Sequence, residues 1–114
     1  MAGTIQLSED IVWMPAGWVY DGVLDLIAAE LATQDASLAS TLLASRTTDG
    51  GFCDLRQFDP SRLRLLVSAA ERAYERLEAE GPGSFNDPSF YPGFVNQFGQ
   101  LNSILRAHLS SMHH

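Results

Sequence analysis

"DPSRLRLLVSAAERAYERLEAEGPG", Asp59 to Gly83, is the stretch that decides the fold. Asp59 can cap a helix whose first position is Pro60, with its φ already fixed for that place, and Gly81-Pro82-Gly83 stops it. Between these signals Leu63, Leu66, Val67, Ala70, Tyr74 and Leu77 fall on one face, while Arg64, Glu71, Arg72, Glu75 and Glu78 fall largely on the other. A long helix with one apolar face needs other helices to cover it. Its polar face is expected to carry local ion pairs, Arg72 with Glu75 and Arg76 with Glu80, which support the helix weakly.

Upstream, "GWVYDGVLDLIAAELATQ" places Tyr20, Leu24, Ile27 and Leu31 at helical spacing and predicts a helix from about Val19 to Thr33. Asp35 then caps a second short helix that buries Leu38, Leu42 and Leu43, so the two form a helical hairpin. Between that hairpin and the Asp59 cap lies "SRTTDGGFCDLRQFDPSR", Ser45 to Arg62, which reads as a turn at Asp49-Gly50-Gly51 followed by a buried extended stub, Phe52 to Leu55. Downstream, Asp87-Pro88 is a further helix-start signal. From about Pro92 to Leu109 the positions Phe94 or Val95, Phe98, Leu101, Leu105 and Leu109 keep helical register. At the other end Ile5–Leu7 and Ile11–Met14, split by Ser8-Glu9-Asp10, form a small β-hairpin or an extended arm. The fold class is therefore mostly α: a compact four-helix domain over residues 1–110, with the arm or hairpin at 1–16. A disordered tail is expected at 111–114, where His113-His114 resembles a truncated purification tag.

A chain of 114 residues supports one core. Fourteen acidic residues face seven basic ones, all Arg, and the net charge of -7 excludes nucleic acid and an anionic membrane as partners while attracting basic proteins. The absence of Lys matches a GC-rich coding sequence and a bacterial source. With no basic residue before Arg46 and no long apolar run, the chain is expected to be cytoplasmic, and the single Cys53 agrees with a reducing compartment.

Catalytic signals are weak. Cys53 is flanked by Asp49 and Asp54, whose charge raises a thiol pKa, so it reads as a buried core residue. Asp21 and Asp25 lie four residues apart with Glu30 further along, but no Glu-x-x-His element accompanies them, and they read as a solvated acidic first turn suited to partner binding. His108 reads as an ordinary helical histidine. No catalytic residue, metal site or cofactor is expected.

The aromatics carry more information. Trp13, Trp18 and Tyr20 cluster where the first helix begins, and Phe85, Phe90, Tyr91, Phe94 and Phe98 crowd the approach to the last. "GPGSFNDPSFYPG" is the preferred binding loop, held by Gly and Pro. The expected partner-binding residues are Trp18, Asp21, Asp25, Phe85, Asn86, Asp87 and Tyr91, an acidic and aromatic surface for a basic protein. In size, acidity and lack of a catalytic motif the whole chain resembles the small cytoplasmic immunity proteins with which bacteria neutralise their own toxins. That resemblance implies a non-enzymatic inhibitor of a basic toxin. Two other functions compete with it: an enzyme or small-molecule binder with a pocket near Cys53, Arg56 and Phe90–Phe98, and a homo-oligomeric subunit, with a homodimer its simplest form.

Overall fold

The computed structural model describes residues 3–45, 51–56 and 58–111. Along these the order is β1 (Thr4–Gln6), β2 (Val12–Trp13), α1 (Gly17–Leu31), α2 (Ala36–Ala44), β3 (Phe52–Asp54), α3 (Pro60–Glu80) and α4 (Tyr91–Ser111). Two 3₁₀ turns, Gly81–Ser84 and Pro88–Phe90, link the last two helices.

α3 is the middle of the bundle, with α1 and α4 packed against it and α2 folded back on α1. The Asp59 carboxylate accepts from Arg62 N at 2.8 Å, Pro60 opens the helix, and Gly81 ends it at φ 70°. That φ lies in the region that only glycine enters without strain, which is why the stop is sharp. Leu63, Leu66, Val67, Ala70 and Leu77 are buried on the expected face, joined by Ala69 and Ala73, while Tyr74 is half-buried. The Asp35 carboxylate likewise accepts from Leu38 N at 2.9 Å and starts α2, where Leu38 and Leu42 are buried and Leu43 is half-buried.

The N-terminal residues form a hairpin that becomes part of a sheet. β1 pairs antiparallel with β2, Ile5 opposite Trp13, and the Ser8 hydroxyl accepts from Ile11 N at 3.2 Å to hold the turn. The stub at Phe52–Asp54 is the third strand. It lies parallel to β1 with Ile5 opposite Cys53, giving the order β2-β1-β3. Gly51, at φ 81°, leads into it, with its carbonyl accepting from Thr4 N at 2.7 Å. Ile5, Leu7, Trp13, Cys53 and Leu55 turn their side chains into the core and tie the sheet to the helices.

Several expectations need correction. α1 begins at Gly17, behind Pro15, so Asp21 and Asp25 lie in its second and third turns and not in a dipole-complementing first turn. Trp13 and Tyr20 are core residues. The Trp13 indole donates to Gln97 O at 3.1 Å, and the Tyr20 and Ser45 hydroxyls lie 3.1 Å apart while Ser45 Oγ donates to Leu42 O at 2.7 Å. Arg72 and Arg76 do not pair along α3: both reach across to Glu30 of α1, at 3.5 and 3.0 Å, where the Glu30 side chain is only 11% exposed. A second bridge between helices joins Arg106 of α4 to Glu71 of α3. Helix-to-helix pairing wins here because α1 packs directly on α3, bringing a shielded carboxylate within reach of two guanidinium groups. α4 continues to Ser111, so the first residue of the expected tail is helical. The Asp49-Gly50 turn and the His113-His114 pair lie outside the described residues.

Candidate functional site: an acidic aromatic cleft

A cleft of about 590 Å³ opens where the start of α1, the end of α3, the connecting turns and the start of α4 meet. α1 contributes Trp18, Gly22, Asp25 and Leu26, positions four, three and one residue apart that share one helical stripe. α3 contributes Leu77 and Glu80 at its last turn; the connecting turns add Phe85, Asn86, Asp87 and Phe90, and α4 adds Phe94.

The floor is aromatic. Phe94 is 4% exposed and stands between Trp18, at a centroid distance of 5.9 Å, and Phe85, at 5.3 Å. Trp18 also touches Phe90 at 5.4 Å. These two outer rings remain 49% and 54% exposed, although each is supported by a neighbouring ring. Gly22 permits the arrangement: a Cβ there would lie 2.8 Å from Phe94 Cε2, so only a residue without a side chain lets α4 approach α1 this closely.

The rim is anionic. Asp25, Glu80 and Asp87 come from three different elements, and among the described residues no Arg or His is part of the lining. Asp87 also shapes the turn, since its Oδ1 accepts from Ser89 N at 3.0 Å and from Ser89 Oγ at 2.7 Å. The Ser89 hydroxyl first, and the Ser89 backbone N–H second, hold the Asp87 carboxyl below its ordinary value. Asp87 is therefore a capping residue as well as a rim charge.

Of the expected partner-binding residues, Trp18, Asp25, Phe85, Asn86 and Asp87 meet in this cleft. Asp21 is exposed on α1 but lies outside the lining. Tyr91 stands behind the site, edge-on to Phe85 at 5.6 Å and half-buried, so it supports the floor and does not face a ligand. Sequence reasoning missed Glu80, which it had paired with Arg76, along with Gly22, Leu26 and Leu77. Phe90 lies within the expected binding loop, whereas the competing small-molecule reading grouped Phe90 and Phe94 with Cys53 and Arg56. Glu80 had one available signal: it directly precedes the Gly81-Pro82 stop, at the same end of α3 as the aromatic loop.

The other hollows differ in character. Cys53 is buried beside Ser45, Thr41 and Arg62 in a separate depression of about 320 Å³ whose lining includes neither Phe90 nor Phe94. Arg56 is held by Asp54 through two bonds of 2.9 Å, which lower the Asp54 carboxyl and raise the guanidinium. A larger groove of about 780 Å³ runs between α3 and α4, but it is lined mainly by Glu71, Glu75, Glu78, Asn96 and Gln100 and offers no exposed aromatic anchor. Burial first, and the charge of Glu78 next, push the Tyr74 phenol in that groove upward. Among the described residues no group of three His, Cys, Asp or Glu side chains is placed to hold a metal ion, and no helix is long and apolar enough to cross a membrane. No family model, curated protein or solved structure matches the chain at a significant level.

Proposed function

We propose that the protein is a non-enzymatic binding module that engages a basic protein through the acidic aromatic cleft. One observation carries the reading: two half-exposed rings, Trp18 and Phe90, lie on a buried aromatic floor inside a rim of three carboxylates, with no cation among the described residues of the lining. Exposed aromatics in a preformed pocket are what interface anchors use, and the surrounding charge steers a basic partner toward them. The net charge of -7 extends the same attraction over the whole molecule. A toxin with a basic active site, the kind of target that small acidic immunity proteins neutralise in the bacterial cytoplasm, is a partner of this chemistry.

The test begins with recovery of a partner from a source lysate at native protein levels, followed by association kinetics with the purified pair. The partner is expected to be basic. Its on-rate should fall steeply between 20 and 200 mM salt (roughly the range over which the Debye length shortens from above 20 Å to below 10 Å). Asp25→Asn with Glu80→Gln should slow association, and Trp18→Ala should mainly speed dissociation. An on-rate that ignores both salt and the double substitution overturns the reading. So does a chain that sediments as a dimer whose dissociation is promoted by Trp18→Ala, because the cleft is then a self-association surface.

A further inference from the structure

The exposed large apolar side chains fall into two groups. Trp18 and Phe90 belong to the cleft, whereas Ile11, Val12, Met14 and Phe52 lie on or beside the small sheet, which the cleft does not use. Register explains their exposure. Ile5, Trp13 and Cys53 form the row that enters the core, so the flanking rows, Val12 with Gln6 and Asp54 and Met14 with Thr4 and Phe52, take the opposite face. The same register aims the backbone of β2. Thr4 N donates to Gly51 O at 2.7 Å and Leu55 N to Gln6 O at 2.8 Å, so Thr4 and Gln6 turn their backbone groups toward β3. Ile5 and Leu7 turn theirs toward β2, where Leu7 N donates to Ile11 O at 2.9 Å. The N–H and C=O groups of Val12 and Met14, opposite Gln6 and Thr4, therefore point away from β1, and among the described residues nothing hydrogen-bonds to them.

Donors and acceptors in line on an exposed edge are the template on which an added strand pairs. Side chains and charge say which strand. Val12 and Met14 are 38% and 68% exposed on one face, so a segment laid along the edge with apolar side chains opposite both covers them as cross-strand pairs. Pro15 has no N–H and closes the edge at one end, while exposed Glu9 and Asp10 stand at the other and favour a cation there. A second copy of this chain fits badly. Pairing of two copies about Val12 would set Asp10 against Met14, and each copy brings a net charge of -7. We propose that β2 is a docking edge for an extended segment of a partner protein, running antiparallel to it, with apolar side chains opposite Met14 and Val12 and a lysine or arginine two positions further on, beside Glu9 and Asp10. The edge is separate from the cleft, and the proposal does not rest on the reading of the cleft.

The test uses the end-capped peptide Ser-Val-Thr-Val-Thr-Lys-Ser, whose second valine stands opposite Val12, and reads the backbone amide resonances of the protein. At millimolar peptide the Val12 and Met14 amides should shift saturably and exchange with deuterium more slowly. N-methylation of the second valine removes the N–H that faces Val12 O and should weaken binding about fivefold, the factor that ~1 kcal/mol of net hydrogen bonding gives. N-methylation of the first threonine, whose N–H points outward, should leave binding unchanged. Glutamate in place of the lysine should weaken it about threefold at low salt. Val12→Pro removes the outward donor of β2 at a position where an edge strand tolerates proline, and should abolish binding. Circular dichroism checks the fold of that variant, and the methylated peptides test the same hydrogen bonds on the unaltered protein. Equal effects of the two N-methyl groups, no preference for lysine over glutamate, a folded Val12→Pro that still binds, or no change at Val12 and Met14 overturns the proposal. So does amide protection that rises with protein concentration alone, because the edge is then a self-association surface. A peptide that shifts the Trp18 indole resonance and no longer binds Trp18→Ala occupies the cleft, in which case the docking edge falls and the cleft reading stands.

Discussion

Replacing Gly22 with Ala sets two opposing effects of similar size against each other, and the structure decides between them. A glycine inside a helix costs roughly 0.5–1 kcal/mol relative to alanine, because it loses more chain entropy on folding, so an alanine with room for its methyl group would stabilise α1. At Gly22 there is no room. The new Cβ would lie 2.8 Å from Phe94 Cε2 and 3.2 Å from Cζ. Phe94 cannot swing aside freely, because Trp18, Phe85 and Phe98 surround it at centroid distances of 5.9, 5.3 and 6.3 Å. Overpacking of this kind costs about 1–3 kcal/mol, so the net effect is a loss of roughly 1 kcal/mol. For a domain of this size that lowers Tm by roughly 4 °C. Gly93, within the first turn of α4, is the matched control, since a Cβ there meets nothing within 4 Å. Gly93→Ala should raise Tm by roughly 2–4 °C through the same entropy term. Differential scanning calorimetry of the two variants beside the parent protein gives the comparison. If Gly22→Ala is as stabilising as Gly93→Ala, the close approach of Phe94 to α1 is wrong, and with it the aromatic floor of the cleft.

Phe98 is fully buried and packs edge-on against Tyr74 at 5.5 Å, so Phe98→Ala should cost about 3–5 kcal/mol in urea unfolding; an unchanged midpoint would contradict its place in the core. Cys53→Ser takes a hydroxyl into a position only 4% exposed and should lose about 1–3 kcal/mol. Native Cys53 should accordingly react slowly with iodoacetamide, and rapid alkylation at neutral pH would contradict the burial. The Asp54 and Asp87 carboxyls have folded pKa values below the ordinary 3.8, so their contribution to stability is complete above that pH and is lost as pH falls through the folded values. The stability difference between the protein and Asp87→Asn should therefore shrink from pH 6 to pH 2, and a difference that grows on acidification would reverse the sign of the argument.

How much of this was legible in the sequence depends on whether an interaction is local. The helix starts at Asp35 and Asp59-Pro60 and the stop at Gly81 depend on contacts within four residues, and the structure has them where the residue types place them. The Phe52–Asp54 strand is three residues long, too short to show a period, and its partner Thr4–Gln6 is nearly fifty positions away. Its parallel pairing had no sequence signal. The Glu30 bridge to Arg72 and Arg76 was equally hidden, because it depends on how α1 lies on α3. In the cleft, the aromatic loop was readable from its composition. The division between Asp21 and Asp25 follows from helical rotation: relative to Trp18, Gly22 and Asp25 lie within about 40° around the axis, whereas Asp21 lies about 60° away on the side opposite Leu26. That places it past the edge of the stripe.

The cleft and the core share one residue, and this sharing gives the two layers of the site different properties. Phe94 has one side against Phe98 in the interior and the other against Trp18 and Phe85 at the surface. The rings above it are therefore supported by a residue of the buried core, and a partner side chain meets a surface that needs little further ordering. The carboxylates differ. Asp25 and Glu80 are exposed at the rim, where water and salt screen them, so they act on encounter more than on residence. Substitutions should separate along the same line. Phe94→Leu should weaken stability and binding together, Trp18→Ala should weaken binding at nearly constant stability, and Asp25→Asn should change the association rate alone. A Phe94→Leu variant that kept full stability while losing the partner would show that the floor belongs to the site and not to the core, and the coupling between fold and cleft would have to be given up.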